Sequence, residues 1–484
     1  MGRIIVAALA VVGMVVGTAA VPASGPDPGA RRPSARVPAA IAWGACPADV
    51  AAPGLRCGTL AVPVDHTRAD GPTTTLGVSL APAGGGAPRR GTIVVNPGGP
   101  GGGGMWPADL VRRAMPERVR QSYDIVGVDP RGNHHSDPIS CVDASFDRAP
   151  KPDPVPATAQ DEQRLIERAR DYARGCAERA GDLLPHLGTL ENARDLDLVR
   201  AALGESRISF IGWSYGTYLG AVYGHLFPER VDRMILDSVV DPRPDQVWYR
   251  INLRQDIAFQ GRWRDLVAAE GADLDDLFAR TLAGVRAEPA GGLVGPAELR
   301  DLATRALYNS RSWPEFAAAL RAHDRGDPGP LAALYTPATA QDANGTAIYT
   351  AVECHDGPWP RDWSVWDRDA RAVDRTAPLT TWSNTWLNAP CAFWPVPART
   401  PPTIDGHDLP PVLLVQGTRD PATPPAGASA LHQALPSSHL ITVLDEGDHG
   451  ILAFQPAPCV LRAAAAYLTD GTLPPGRDTT CEAS

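Results

Sequence analysis

Cysteine pairs at CxxC spacing, runs of basic residues and phosphate-cradling glycine loops are all missing from this chain of 484 residues. Without CxxC spacing, metal binding by the cysteines loses its usual signature, and no metal site is expected. Without a basic run, and with a formal net charge of −10, there is nothing to neutralise phosphates, so a nucleic-acid partner is excluded. No GxGxxG or GxxxxGK[ST] stands between a strand-like and a helix-like segment, and no other motif asks for a cofactor; none is expected. Internal repeats are absent as well.

The chain begins with MGR, then the apolar run IIVAALAVVGMVVGTAAV and small residues at Ala19, Ala20 and Ala23. That is the layout of a cleavable secretory signal, expected over residues 1–23. A membrane anchor is the competing reading, but the run is short for a span and rich in Ala and Gly. Residues 24–40 are Pro, Ala and Arg without periodicity and read as a flexible leader before the fold starts near Trp43. The mature protein is expected to be extracellular and to leave the membrane behind.

Eight cysteines follow the signal, an even number in a chain expected to be exported, where disulfides persist. Taken as sequential neighbours they give Cys46 with Cys57, Cys141 with Cys176, Cys354 with Cys391 and Cys459 with Cys481. Sequence alone permits roughly one hundred other connectivities.

Strand-like and helix-like segments alternate from residue 73, which predicts an α/β fold with a mostly parallel sheet flanked by helices. TTTLGVSLAPA, GTIVVNPGG, YDIVGVDPRG, RISFIGWS and VDRMILDSVVDP read as strands, and DEQRLIERARDYARGCAERAG has apolar positions at helical spacing. From Arg243 the rhythm stops. Residues 243–402 hold nine of the twelve tryptophans and look helical in their first half, so they are assigned to a cap inserted into the sheet domain. The core is thus expected in two pieces, 41–242 and 403–484, the second resuming with PPVLLVQGTRD and HLITVLDEGDHG.

Within RISFIGWSYGTYLG, the segment Gly212, Trp213, Ser214, Tyr215, Gly216 is G-x-S-x-G between a strand and a helix. On so tight a corner the serine is held out at the carboxyl edge of the sheet, and flanking glycines are needed because a Cβ would collide with neighbouring backbone. An ordinary strand-to-helix turn is the bland alternative. A serine is a poor nucleophile until a base takes its proton, and this fold supplies acid and base later in the chain. Asp420 ends one later strand and His449 follows the next, which assigns His449 as general base and Asp420 as the acid that orients it. His432 and His439 are rival bases, and Asp237 and Asp241 rival acids. Asp448 reads as a solvated loop residue. The glycine-rich NPGGPGGGG after the strand TIVV offers backbone donors, so the oxyanion hole is assigned to the amides of Gly99 and Tyr215. Asp129 and Arg131 in VDPRG read as shaping the neighbouring loop.

Taken in order, GWSYGTYLG, NPGGPGGG, VDPRG, GTRDPATP and GDHG, with APCAFWPVP at 389–397, resemble the secreted bacterial tripeptidyl aminopeptidases. These are relatives of the prolyl aminopeptidases within the α/β-hydrolase fold, and the resemblance spans nearly the whole mature chain. It implies a serine exopeptidase that takes short peptides from a free amino terminus of peptide or protein substrates, with Ser214, Asp420 and His449 as its triad. The chain departs from the prolyl branch in having Pro97 before GGPG, and GNHHS after Arg131 is poor in glycine. An aminopeptidase must pair the substrate's ammonium group with carboxylate, and Glu353 and Asp356, near Trp359, Trp363 and Trp366, are the candidates. A structural ion pair or a solvated turn is the other reading of these two acids. An exported carboxylesterase or lipase with the same triad, and a binding protein on a hydrolase scaffold, are the competing functions.

Overall fold

Apolar runs that end in glycine or proline turns become the strands of a ten-stranded sheet in the computed structural model, which describes residues 40–483 apart from 69, 144, 455 and 456. The expected signal segment, and the leader up to residue 39, lie outside the described residues. The strands are β1 (Ala42–Gly44), β2 (Arg56–Pro63), β3 (Thr73–Ala81), β4 (Gly91–Asn96), β5 (Tyr123–Val128), β6 (Ile208–Ser214), β7 (Val231–Val239), β8 (Val412–Gly417), β9 (His439–Leu444) and β10 (Asp478–Glu482). Their order is β1-β2-β3-β5-β4-β6-β7-β8-β9-β10. The first three pairings are antiparallel, and every pairing from β5 onward is parallel.

Side chains alternate across a strand, so a sheet covered on both faces needs apolar residues at successive positions. Val94, Val126, Phe210, Leu236 and Leu414 enter one core layer, beneath helices Ala159–Ala180 and Tyr215–Leu226. Their immediate neighbours Ile93, Val95, Ile125, Ile211, Ile235, Leu413 and Val415 enter the other, beneath Pro107–Ala114 and Pro458–Asp470. Each of these side chains is worth about 1.5–3 kcal/mol of burial, which fixes the register against a one-residue slip. The long helix Ala159–Ala180 starts on a reciprocal cap, in which Thr158 accepts from the Asp161 amide and Asp161 accepts from the Thr158 amide.

Between β7 and β8 the chain leaves the sheet for a series of helices from Tyr249–Glu270 to Thr381–Asn388. Helicity extends through both halves of this segment, beyond the first half suggested by sequence, with Ala340–Asp356 and Trp363–Asp374 in the second. The segment has its own core, built on Phe259, Trp263, Leu266, Leu299, Trp313 and Phe316. Five of its tryptophans, Trp359, Trp366, Trp363, Trp386 and Trp382, stack in succession with centroids 4.7 to 6.1 Å apart. Three strands, the short β1 and β10 and the eight-residue β2, had no expectation from sequence. All four disulfides join sequential cysteines: Cys46–Cys57, Cys141–Cys176, Cys354–Cys391 and Cys459–Cys481. No helix among the described residues is long and apolar enough to cross a membrane.

Candidate active site

The corner between β6 and helix Tyr215–Leu226 puts Ser214 at φ 59° and ψ −133°, a left-handed backbone that L-residues avoid unless their surroundings impose it. What imposes it is close backbone approach on both sides. A Cβ on Gly212 would strike the carbonyl of Gly216, and one on Gly216 would come within 2.5 Å of the carbonyl oxygen of Asn96. The loop after β4 closes over the same corner. Gly98 sits at φ +91° with its amide donating to Asn96 Oδ1 at 3.0 Å, and a Cβ there would lie 2.7 Å from the Ser214 Cβ. Gly99, Ser214 and Tyr215 all line one cavity of about 500 Å³.

Asp420 and His449 follow β8 and β9, and the structure brings them into contact. His449 Nδ1 lies 2.9 and 3.0 Å from the two Asp420 oxygens. Asp420 also accepts from the amides of Ala422 and Thr423 and from the Thr423 hydroxyl. With Nδ1 donating to the carboxylate, Nε2 is the ring's acceptor; it is buried and makes no hydrogen bond among the described residues. Burial pulls the imidazole pKa down, but the charge and hydrogen bond of Asp420, with the charge of Asp237, carry it above its ordinary value. Burial raises Asp420, and the imidazolium and hydrogen bonds of His449 outweigh that and hold it low.

The rival groups are engaged elsewhere. Asp237 accepts from the Leu452 amide at 2.6 Å, and burial pushes it up to about 7. Asp241 is paired with Arg243 and Arg254. His432 meets Ser438, and His439 meets the carbonyl of Gly476. Asp129 accepts from the amides of Gly104 and Met105, while Arg131 grips Asp195 with two nitrogens, so both shape loops around the site. Asp448 is no solvated loop residue. Its carboxylate is buried, because Arg262 and Ser310 supply the donors that water would otherwise give.

The two proposed ammonium ligands part company. Glu353 lines the cavity, accepts from Asn252 Nδ2 at 3.2 Å, and is pushed up to about 8 by burial. Asp356, one helical turn on, faces away from that space. Its oxygens take the Thr189 amide at 2.8 Å and the Thr189 hydroxyl at 2.5 Å, and that hydroxyl oxygen lies 2.8 Å from the Tyr215 hydroxyl. Sequence reasoning missed four further residues. Asp256, in helix Tyr249–Glu270, lines the cavity and is pushed up to about 7 by burial while Thr380 and Asn384 donate to it. Tyr308 lines the cavity and sets its ring edge against the His449 ring. Ser238, at φ 57°, accepts from the Gly450 amide, and Asn96 holds the glycine loop. The only sequence signal for any of them was the Asn that opens NPGGPG. The others are ordinary letters in a helix or strand.

A family model described as "alpha/beta hydrolase fold" matches residues 91–290, and one described as "TAP-like protein" matches 377–481. The chain is 44% identical to a tripeptidyl aminopeptidase of Streptomyces lividans, the match covering 92% of this chain and 87% of that one. It is 33% identical to the serine protease Hip1 of Mycobacterium tuberculosis, covering 87% of this chain and 86% of that one. A carboxylesterase B of Mycobacterium tuberculosis is also 33% identical, over 87% of this chain and 85% of its own length.

Proposed function

The chain belongs to the tripeptidyl aminopeptidase family, and from that premise we propose that it is a serine exopeptidase releasing short peptides, tripeptides among them, from free amino termini. The observation that supports this most is the pairing of His449 Nδ1 with both oxygens of Asp420 while Nε2 makes no hydrogen bond among the described residues, at the sheet edge where β6 ends on Ser214.

In the first half-reaction His449 takes the Ser214 proton as Oγ attacks the scissile carbonyl carbon. Asp420 holds the ring in the required tautomer and stabilises the imidazolium. The carbonyl oxygen, now an anion, accepts from the amides of Gly99 and Tyr215. Collapse expels the shortened chain, whose amine receives the proton from His449, and leaves the released peptide as an ester on Ser214. Water then attacks that ester with His449 again as base. No added group is required for either step.

Restriction to a free terminus needs an anion in the pocket, and Glu353 is the residue we assign to it, with Asp256 in the same cavity wall. Asp356, committed to Thr189, is not given that role. The same carboxylates argue against the esterase reading, since an uncharged acyl chain gains nothing from them. We further propose that the chain is exported and works outside the cell as a folded, disulfide-bonded domain.

The test is turnover of a tripeptide anilide with a free amine, the same compound acetylated, and a short-chain ester. Rapid release from the first and loss on acetylation are expected; equal rates on the first two, with faster ester hydrolysis, would make it an esterase.

A further inference from the structure

The loop that bears His449 is held from the helical insertion as firmly as from the sheet. Asp448 Oδ1 accepts from Arg262 Nη2 at 2.5 Å and from the Ser310 amide at 2.8 Å, and Oδ2 accepts from the Ser310 hydroxyl at 2.9 Å. Both partners of the ion pair are buried, with side chains 6% and 8% exposed. The guanidinium lies 4.4 Å above the Trp313 ring, so its face is packed while its edge donates. One residue on, the His449 amide donates to the carbonyl oxygen of Tyr308 at 3.0 Å. Gly447 completes the fit, because a Cβ there would run into the Arg262 guanidinium.

We propose that Arg262, with Tyr308 and Ser310, forms a clamp through which the insertion positions His449, making Arg262 a positioning residue for the proton transfer. The proposal rests on the reading of Ser214 and His449 as nucleophile and base. Its physical basis is the spacing of the attachments. The Asp448 side chain and the His449 amide are both fixed from the insertion, and the Gly450 amide is fixed from the sheet by Ser238 at 2.9 Å. Three successive residues are thereby pinned, which leaves the imidazole only its own two torsions, and Asp420 sets those. Small errors in such geometry are costly, with a displacement of about 1 Å worth on the order of a hundredfold in rate.

A structural ion pair would affect stability alone, whereas a clamp that positions the base also affects proton transfer, and breaking it leaves an uncompensated charge one residue from the imidazole. The groups facing His449 are Asp420, bonded to it, Asp237, buried behind it, and the Tyr308 ring. In its own loop stand Asp448, neutralised by Arg262, and Glu446, whose Oε1 accepts from the amides of Gly447 and Asp448. Deleting the cation leaves an anion beside the imidazole and favours its protonated form; deleting the anion leaves a cation and does the reverse.

The experiment uses the purified full chain with a free-amine tripeptide anilide, and records kcat, KM, the pH profile of kcat/KM and thermal midpoint. Arg262→Gln is expected to lower kcat by about tenfold or more with KM within about twofold, and to move the acid limb to higher pH. Asp448→Asn should move that limb to lower pH, Arg262→Lys should recover part of kcat, and Gly447→Ala should lower kcat while leaving the limb in place. Should Arg262→Gln fail to fold, the other three variants decide the matter. A lowered thermal midpoint with kcat and the acid limb unchanged in all of them overturns the clamp. Retained activity in Ser214→Ala would overturn the underlying reading instead, so the two failures are distinguishable.

Discussion

Glu353, in the cavity wall, accepts from Asn252 at 3.2 Å, a neutral amide donor on a carboxyl group that forms no ion pair among the described residues. Burial has pushed that carboxyl up to about 8, so near neutral pH it holds a proton that an incoming ammonium group must displace. Substrate binding to Ser214→Ala should therefore release close to one proton at pH 6.5, as calorimetry in buffers of different ionisation enthalpy would record. Glu353→Gln should abolish the release and raise KM for free-amine substrates by about tenfold or more, equivalent to about 1.4 kcal/mol, leaving acetylated ones unaffected. Unchanged proton release would remove Glu353 from the ammonium site.

Four buried acids have pKa values raised by burial: Glu353 to about 8, and Asp237, Asp256 and Asp356 to about 7. Each binds its proton more tightly folded than unfolded, so the folded state holds the excess protons and stability falls as pH rises through the interval between the two values. His449 and His135, raised in the folded state, add to the same trend; His355, pushed down to about 4 by burial, with His186 and His432, opposes it more weakly below the ordinary histidine range, and Asp420, held low, opposes it only in acid. Denaturant midpoints of the ligand-free protein should decline from about pH 4.5 to pH 8, and Asp256→Asn should flatten that decline. A midpoint that climbs over the interval would contradict the assignment.

Asp356 acts on Tyr215 through Thr189, whose amide and hydroxyl it accepts, while Asn192 Nδ2 donates to the Tyr215 hydroxyl at 3.3 Å. Each donor in the series points toward the carboxylate, and the series includes Tyr215, the residue whose amide we propose for the oxyanion hole. Thr189→Val should cost about 1–3 kcal/mol of stability, since it strands buried polar groups. In kinetics, Asp356→Asn should depress kcat for free-amine and ester substrates by similar factors with KM little changed. A selective rise in KM for the free amine would return Asp356 to the ammonium site.

Two glycines separate strain from tolerance. Gly216→Ala would drive a methyl to 2.5 Å from the Asn96 carbonyl oxygen and should abolish most activity by moving the nucleophile. Gly261, in the middle of helix Tyr249–Glu270, has open space around its Cα, so Gly261→Ala should stabilise the fold by about 0.5–1 kcal/mol at full activity. Thermal melts and turnover of the pair give the comparison.

The sheet was legible because its signals are local: VLLVQG and ISFIGWS have the continuous apolar character of strands buried on both faces. Ser214, Asp420 and His449 could be placed at one edge because each ends or follows such a strand, in a fixed order. Asp448 was misjudged for the opposite reason. EGDHG looks solvated when read alone, and the arginine that buries its aspartate stands 186 residues earlier. Asp256 and Tyr308 escaped notice because nothing in a helical stretch marks which face will meet a cavity. The separation of Glu353 from Asp356 depended on helix phase relative to neighbours that only packing supplies. β10 was passed over since DTTCE has little apolar content; pairing with β9 and the Cys459–Cys481 link hold it in place.

β7 and β8 are hydrogen-bonded neighbours, Met234 facing Val412 and Asp237 facing Val415, although the entire helical insertion separates them in the chain. Exit and re-entry points therefore lie side by side, so the sheet is continuous across them, while Trp248, Ile348 and Val352 of the insertion pack into the sheet's own core. The cavity walls that would choose a substrate are in this sense an excursion from a closed sheet. Any replacement for that excursion would have to bring its own counterparts to Arg262 and Tyr308, or it would deliver ligands to an idle histidine.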